Sequence, residues 1–149
     1  MVQKDTEIIY PSNTIADNNL PKCYLQEITV HEVWGQTREL LRYYQYNEKT
    51  GTYSHRCFFE YEELLVKYLI NSNPEKMQYL LDNGKFYVYV VRTVRKFVNA
   101  VDEQTAVINA RDKELQQAKA DGNEEKYWRI FHNNKLCAEE MCRDIMYGK

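Results

Sequence analysis

A repeat of apolar residues in the second half of the chain constrains the fold more than any other feature. From Tyr87 to Leu115 the repeat steps by four and three residues without a break, as on the seam of a coiled coil. It occupies Tyr87, Val91, Val94, Val98, Val101, Thr105, Ile108, Asp112 and Leu115. The valine-rich start, residues 86–91, would also suit a β-strand. Because the spacing continues into a stretch of helix-forming residues, we predict one long helix.

The end of the chain has the same spacing. Residues 120–123 predict a tight turn, after which Asn123 caps a helix whose first turn carries Glu124 and Glu125. The positions that repeat on this helix are Trp128, Phe131, Lys135, Ala138, Cys142 and Ile145. Since the two helices have matching faces, the sequence predicts an antiparallel helical hairpin over residues 85–147. Trp128 and Phe131 are expected to bury the most apolar surface in it.

The first half of the chain is also interpreted as helical. Apolar steps of three and four predict helices over residues 31–46 and 54–70, and Asn73 followed by Pro74 predicts a short helix over residues 74–81. Residues 1–25 are rich in turn-forming side chains and are expected to form an extended N-terminal arm. The predicted fold is therefore all-α, a helical bundle with a long antiparallel C-terminal hairpin. Its domains would be the arm, residues 1–25, and a single helical domain, residues 26–149.

Composition narrows the functional classes. The formal net charge of −2 gives no overall attraction to nucleic acid, so any DNA contact needs a local basic patch. No apolar run is long enough to span a bilayer, and the N-terminus lacks the apolar core of a signal peptide, so we expect a cytoplasmic protein without membrane contact. The 4 cysteines include no C-x-x-C pair and are expected to be reduced.

Motifs for catalysis and for cofactors are missing from the sequence. The 3 histidines fall in no metal-binding spacing, adjacent carboxylates point in different directions on a helix, and no glycine-rich phosphate loop occurs. We therefore predict a non-enzymatic protein with no catalytic residue, no metal, no cofactor and no small-molecule substrate.

Two basic clusters and one aromatic stretch are candidates for partner contact. Arg92, Arg95, Lys96 and Asn99 lie on one side of the predicted long helix, and Arg38 and Arg42 lie one turn apart on the predicted helix at residues 31–46. Such rows can neutralise phosphates, although exposed helix faces often carry basic residues for solubility alone. The tyrosine-rich residues 42–56 could stack on bases or anchor a protein partner, or could lie in the core.

Short motifs at both ends of the chain resemble those of the TnpV family, small accessory proteins encoded on bacterial transposons. The resemblance rests on Leu20-Pro21, on "VWGQTRELLRYY" at residues 33–44, on "DEQ" at residues 102–104, and on Trp128, Asn133-Asn134, residues 138–140 and Tyr147. It implies an excisionase-like, DNA-associated helper without established catalytic residues. The matching positions are Trp34, Gly35, Gln36, Arg38, Trp128, Asn133 and Asn134.

The leading hypothesis is a non-enzymatic accessory protein of a mobile genetic element that binds DNA or a recombinase-like protein. The alternative is a mobile-element or phage-encoded inhibitor that binds a host defence nuclease, as anti-CRISPR proteins do. A third alternative is self-association into a homodimer, because Thr105 and Asp112 make the predicted seam incompletely apolar.

Overall fold

The computed structural model describes residues 6–31, 35 and 37–148, apart from the side chains of His31 and Arg38. The elements in chain order are β1 (Thr6–Pro11), β2 (Cys23–His31), β3 (Thr37–Asn47), β4 (Thr52–Cys57), α1 (Tyr61–Ser72), α2 (Pro74–Asp82), α3 (Phe86–Arg111), α4 (Lys113–Ala120), α5 (Glu124–Met141) and α6 (Arg143–Tyr147). The all-α prediction is wrong, and so is the helical bundle, because the four strands form one antiparallel sheet. The chain divides into two compact units, Met1–Val91 and Arg92–Lys149.

The sheet of the first unit is a meander in which each strand pairs with the next along the chain. The segment expected to be an extended arm contributes β1, and the boundary expected near residue 25 lies inside β2. Between β3 and β4, Gly51 adopts a φ of 72° and its N–H donates to the Asn47 carbonyl at 2.8 Å. A residue with a side chain would be strained there, so glycine closes a hairpin at this point rather than ending a helix.

The helix predicted over residues 31–46 is a strand because its side chains alternate with period two. Leu41 and Tyr43 are each 2% exposed, whereas their neighbours Arg42 and Tyr44 are half-buried. A helix would place successive residues about 100° apart, but a strand places them on opposite faces. The helix predicted over residues 54–70 is correct only in its second part, because its start belongs to β4 and α1 begins at Tyr61.

One face of the sheet packs against helices of the same unit. The Tyr43 ring lies 5.8 Å from the Phe86 ring, and the Cys23 thiol donates to the Leu81 carbonyl at 3.0 Å. The predicted short helix is confirmed as α2, with the Asn73 side chain accepting from the Lys76 N–H at 3.3 Å and proline at the first position. Other buried residues of this core are Leu25, Leu41, Phe58, Leu65, Val66, Leu69, Met77 and Val90.

The second unit is helical. The long helix predicted from the heptad repeat is confirmed as α3, but it ends at Arg111, because Asp112 is extended and caps α4 by accepting from the Leu115 N–H at 3.0 Å. The predicted cap at Asn123 is also confirmed, since its side chain accepts from the Lys126 N–H at 3.2 Å. The α4 and α5 helices therefore form a hairpin whose outgoing arm is shorter than expected.

The buried line along α3 differs from the predicted seam. Its buried residues are Phe86, Val90, Phe97, Val101 and Thr105. Only Val101 and Thr105 belong to the predicted repeat, and the Thr105 hydroxyl is satisfied by donating to the Val101 carbonyl at 2.7 Å. Within residues 6–31, 35 and 37–148, every helix is too short or too polar to serve as a membrane span.

Candidate functional site: the tyrosine face of the sheet

The strand register collects four tyrosines on one face of the sheet. Directly opposed residues in antiparallel strands point to the same side. Tyr24 lies opposite Tyr44, and Tyr46 lies opposite Tyr53. These rings are on the side away from buried Tyr43, so the helix contacts described above all involve the other face. We call this surface the tyrosine face; it comprises Tyr24, Gln26, Arg42, Tyr44, Tyr46, Tyr53 and His55.

The rings of the tyrosine face pack against one another. The Tyr24 and Tyr44 rings are stacked, with centroids 4.7 Å apart and an angle of 10° between planes. Tyr53 meets Tyr24 at 5.6 Å, edge to face, and meets Tyr46 at 5.2 Å. His55 extends the cluster from Tyr44 at 5.7 Å. Because the stack covers one flat side of both Tyr24 and Tyr44, the cluster leaves fewer ring faces open for a partner to stack on.

Hydrogen bonds hold the rings in place. The Tyr44 hydroxyl donates to Gln26 Oε1 at 3.0 Å, and the Gln26 amide donates to the Glu7 carboxylate. The Tyr53 hydroxyl donates to the Pro21 carbonyl at 2.7 Å. A surface held in this way loses little side-chain entropy when it binds, which favours recognition of a partner.

Carboxylates lie close to two of the tyrosines. A hydrogen bond to the Asp17 carboxylate raises the pKa of Tyr46, with a smaller contribution from Glu48. Burial raises the pKa of Tyr24, with smaller contributions from neighbouring tyrosines and Glu7. The carboxylates of Glu7, Asp17 and Glu48 make these surroundings unfavourable for phosphate.

Arg42 is the described basic side chain at the centre of this face. It lies opposite Gln26 on one side and Cys57 on the other, and the Tyr44 phenol beside it raises the pKa of its guanidinium. Its Nε is buried and has no hydrogen-bond partner in the part of the chain that is described. A buried donor without an acceptor lowers stability, and the other N–H groups of this half-buried side chain are the ones that a partner could reach.

The basic row predicted on residues 31–46 does not exist as a helical row. Arg38 and Arg42 both lie on β3, where residues four apart share a face, and the side chain of Arg38 is outside the described residues. Trp34 and Gln36 are also outside them. Gly35 lies in a bend with a φ of 79°, so its conformation explains why glycine stands there.

The other predicted basic row lies on a helix. Arg92, Arg95, Lys96 and Asn99 are all exposed on α3, at spacings that place them on one side of it. The row could meet the phosphates of a DNA backbone, and contact with DNA or any other partner stays a prediction.

The remaining family-matching residues lie on α5. Trp128 is 58% exposed and contacts Tyr127 at 5.0 Å and Phe131 at 5.3 Å, so the expectation that it buries the most surface is wrong. Asn133 is exposed. Asn134 donates to the Asn109 side chain at 2.9 Å and to the Asp112 carboxylate at 3.1 Å. This fixes the break between α3 and α4 and gives Asn134 a structural role.

Sequence reasoning missed Tyr24 and Gln26, because strand pairing alone brings them beside Tyr44. A signal was present: two runs with alternating side chains flank residues 47–51, and such runs around a glycine-containing loop are typical of a β-hairpin.

Comparison with protein-family models, with curated proteins and with solved structures gives no match to the chain. No group of three or more His, Cys, Asp or Glu side chains suited to a metal ion occurs among the described residues.

Proposed function

We propose that this chain is a non-enzymatic accessory protein of a mobile genetic element, and that it binds a recombinase-like protein through the tyrosine face. The observation that carries the proposal is the set of tyrosines that contact one another on the face of the sheet opposite to Tyr43 and the helices of the first unit. The resemblance to the TnpV family supports the mobile-element context. The protein would act in the bacterial cytoplasm, where a recombinase meets its DNA.

The chemistry of the tyrosine face favours a protein partner over nucleic acid. Bases stack on the flat sides of aromatic rings, and the rings of Tyr24 and Tyr44 already cover one flat side of each other. The nearby carboxylates of Glu7, Asp17 and Glu48 would repel a phosphate backbone. Tyrosine and arginine are enriched at protein interfaces, and the half-buried Arg42 guanidinium would donate hydrogen bonds to a carbonyl or carboxylate of the partner.

Binding to a purified recombinase-like protein of a mobile genetic element tests the proposal. Calorimetric titration is expected to show that Tyr44→Ala weakens binding at least about 30-fold, the effect of removing a hot-spot side chain. Tyr127→Ala, in the aromatic cluster of α5, is the matched control and is expected to leave the affinity unchanged. Equal affinities of wild type and Tyr44→Ala would contradict the proposal. Binding to a host defence nuclease instead would favour the inhibitor alternative.

A second candidate function is DNA binding through the exposed row on α3. Three of its four residues are cationic, which is the pattern that neutralises phosphates. Affinity for a duplex, measured from about 50 to 200 mM salt, is expected to fall with salt, and the triple variant Arg92→Gln, Arg95→Gln, Lys96→Gln should flatten the log–log slope by about 3. No detectable affinity for the duplex at about 50 mM salt would contradict DNA binding by this row.

A further inference from the structure

One end of β3 has a strand neighbour on one side only. The last residue of β4, Cys57, lies opposite Arg42, whereas β3 begins at Thr37 and pairs with β2 from Thr37 to Gln45. Residues 37–41 therefore extend past β4 by about 17 Å of strand. Among the described residues, the backbone contact on this side of residues 37–41 is the one at Leu41, whose carbonyl accepts from the Phe58 N–H at 3.2 Å.

The Phe58 contact also fixes which backbone groups face outward. In an antiparallel strand, residues two apart direct their N–H and C=O groups to the same side. Because the Leu41 carbonyl faces the β4 side, the N–H and C=O groups of Glu39 and Thr37 face that side as well. The structure thus presents an open ladder edge next to the end of β4.

A strained residue turns the chain away from this edge. Glu60 adopts a φ of 51° and a ψ of −117°, a conformation that residues with a side chain rarely hold. It lies between the end of β4 and the start of α1, so the chain leaves the sheet here instead of continuing along β3. A space lies beside residues 37–41, on the side where β4 has ended.

That space is a groove of about 580 Å³ between the edge of β3 and α1. Phe58 forms part of its lining, and Phe59, which is 69% exposed, lies at the rim. The charged side chains that line the groove are Glu39, Glu63 and Lys67. The Lys67 ammonium group forms salt bridges with both carboxylates. Two carboxylates share one ammonium group, so the groove has a net negative charge that a further cation would complement.

We propose that this groove binds an extended segment of a partner protein, added as a strand beside residues 37–41, with a Lys or Arg side chain directed at Glu39 and Glu63. The open ladder edge supplies main-chain affinity, and the aromatic and acidic lining supplies side-chain selectivity. A second copy pairing through this edge about Glu39 would oppose two like charges, which disfavours it as the occupant. The site uses residues other than the tyrosine face and does not depend on the function proposed above.

A phage-displayed library of random eight-residue peptides, selected on the full chain, provides the probe. The enriched sequences are expected to alternate apolar or β-branched residues with Lys or Arg. N-methylation of the alternate amides that face β3 should weaken the best peptide at least about tenfold by fluorescence anisotropy, because a hydrogen bond is lost and a methyl group intervenes. Methylation of the other set of amides is the matched control and should change little. No enrichment, or equal effects of the two methylations, would overturn the proposal.

Variants of the protein locate the peptide. Proline is tolerated at the edge of a sheet, and Glu39→Pro removes the backbone N–H that Glu39 directs at the groove. The variant should bind the peptide at least about tenfold more weakly. Glu39→Gln keeps that N–H and should weaken binding less than about fivefold. Tyr44→Ala should leave the peptide affinity unchanged. A larger loss from Tyr44→Ala than from Glu39→Pro would place the peptide elsewhere and refute the assignment; if Glu39→Pro unfolds, the methylated peptides on the wild-type chain decide.

Discussion

Tyr43 and Tyr44 are adjacent in sequence and are expected to differ sharply in their contribution to stability. The Tyr43 ring is 2% exposed and packs on Phe86 at 5.8 Å and on Tyr87 at 6.0 Å. Its replacement by alanine empties a core site, which costs about 3–5 kcal/mol. Tyr44 is half-buried and loses chiefly its stack with Tyr24, so Tyr44→Ala should cost about 1 kcal/mol.

The assay is urea unfolding followed by circular dichroism at neutral pH. For a chain of this size each kcal/mol shifts the melting temperature by about 2–4 °C, so thermal melts should separate the two variants by roughly 10 °C. Tyr43→Phe is the matched control, because it keeps the ring and removes a buried hydroxyl that has no hydrogen-bond partner among the described residues. It should change the free energy of unfolding by less than about 1 kcal/mol. Equal losses for Tyr43→Ala and Tyr44→Ala would refute the alternation of β3.

Three further results are expected. The Asn13 backbone N–H, and after it Gln78, holds the pKa of Asp82 below its ordinary value. The ionised carboxylate therefore stabilises the fold above about pH 4, and this stabilisation is lost as the pH falls through the lowered pKa. Asp82→Asn should thus make the urea midpoint fall less steeply from about pH 5 to pH 3. Gly51→Ala should lower the free energy of unfolding by about 1 kcal/mol in urea titrations, because φ is positive there. In thiol titration with a chromogenic disulfide, the exposed cysteines should react at once and the buried ones only after unfolding; the former are Cys57 and Cys137, and the latter are Cys23 and Cys142.

Three of the helices could be predicted because their signals are local. Asn123 and Asn73 each cap a helix by accepting a backbone N–H three residues on, a contact that a sequence spacing encodes directly. The long repeat likewise outweighed the strand propensity of residues 86–91, which are indeed helical. Asp112 was misassigned to the seam although aspartate is a common cap, since a heptad count ignores capping chemistry.

The sheet could not be predicted from the steps of three and four residues. In residues 37–44 the same apolar positions satisfy a helical stripe and a strand alternation, and Leu40 and Leu41 point to opposite faces. Local propensity did not separate the two, because Arg38, Glu39 and Leu40 are good helix formers that the sheet overrides. Pairing with β2 and β4 decides the structure, and pairing is a non-local contact.

Part of the candidate site could be predicted from the sequence. The tyrosine-rich residues 42–56 and Arg42 were identified as partner contacts, and the structure places most of them on one face. Tyr24 and Gln26 enter only through the register of β2 against β3. The role of Asn134 was equally hidden, because its partners lie 25 and 22 residues away.

The central claim is that a protein partner covers the tyrosine face. Hydroxyl-radical footprinting of the side chains, with and without a recombinase-like protein that binds the chain, tests it most directly. We expect protection of Tyr24, Tyr44, Tyr46 and Tyr53 in the complex, and unchanged oxidation of Trp128. Unchanged oxidation of the four tyrosines in a complex that forms would contradict the claim.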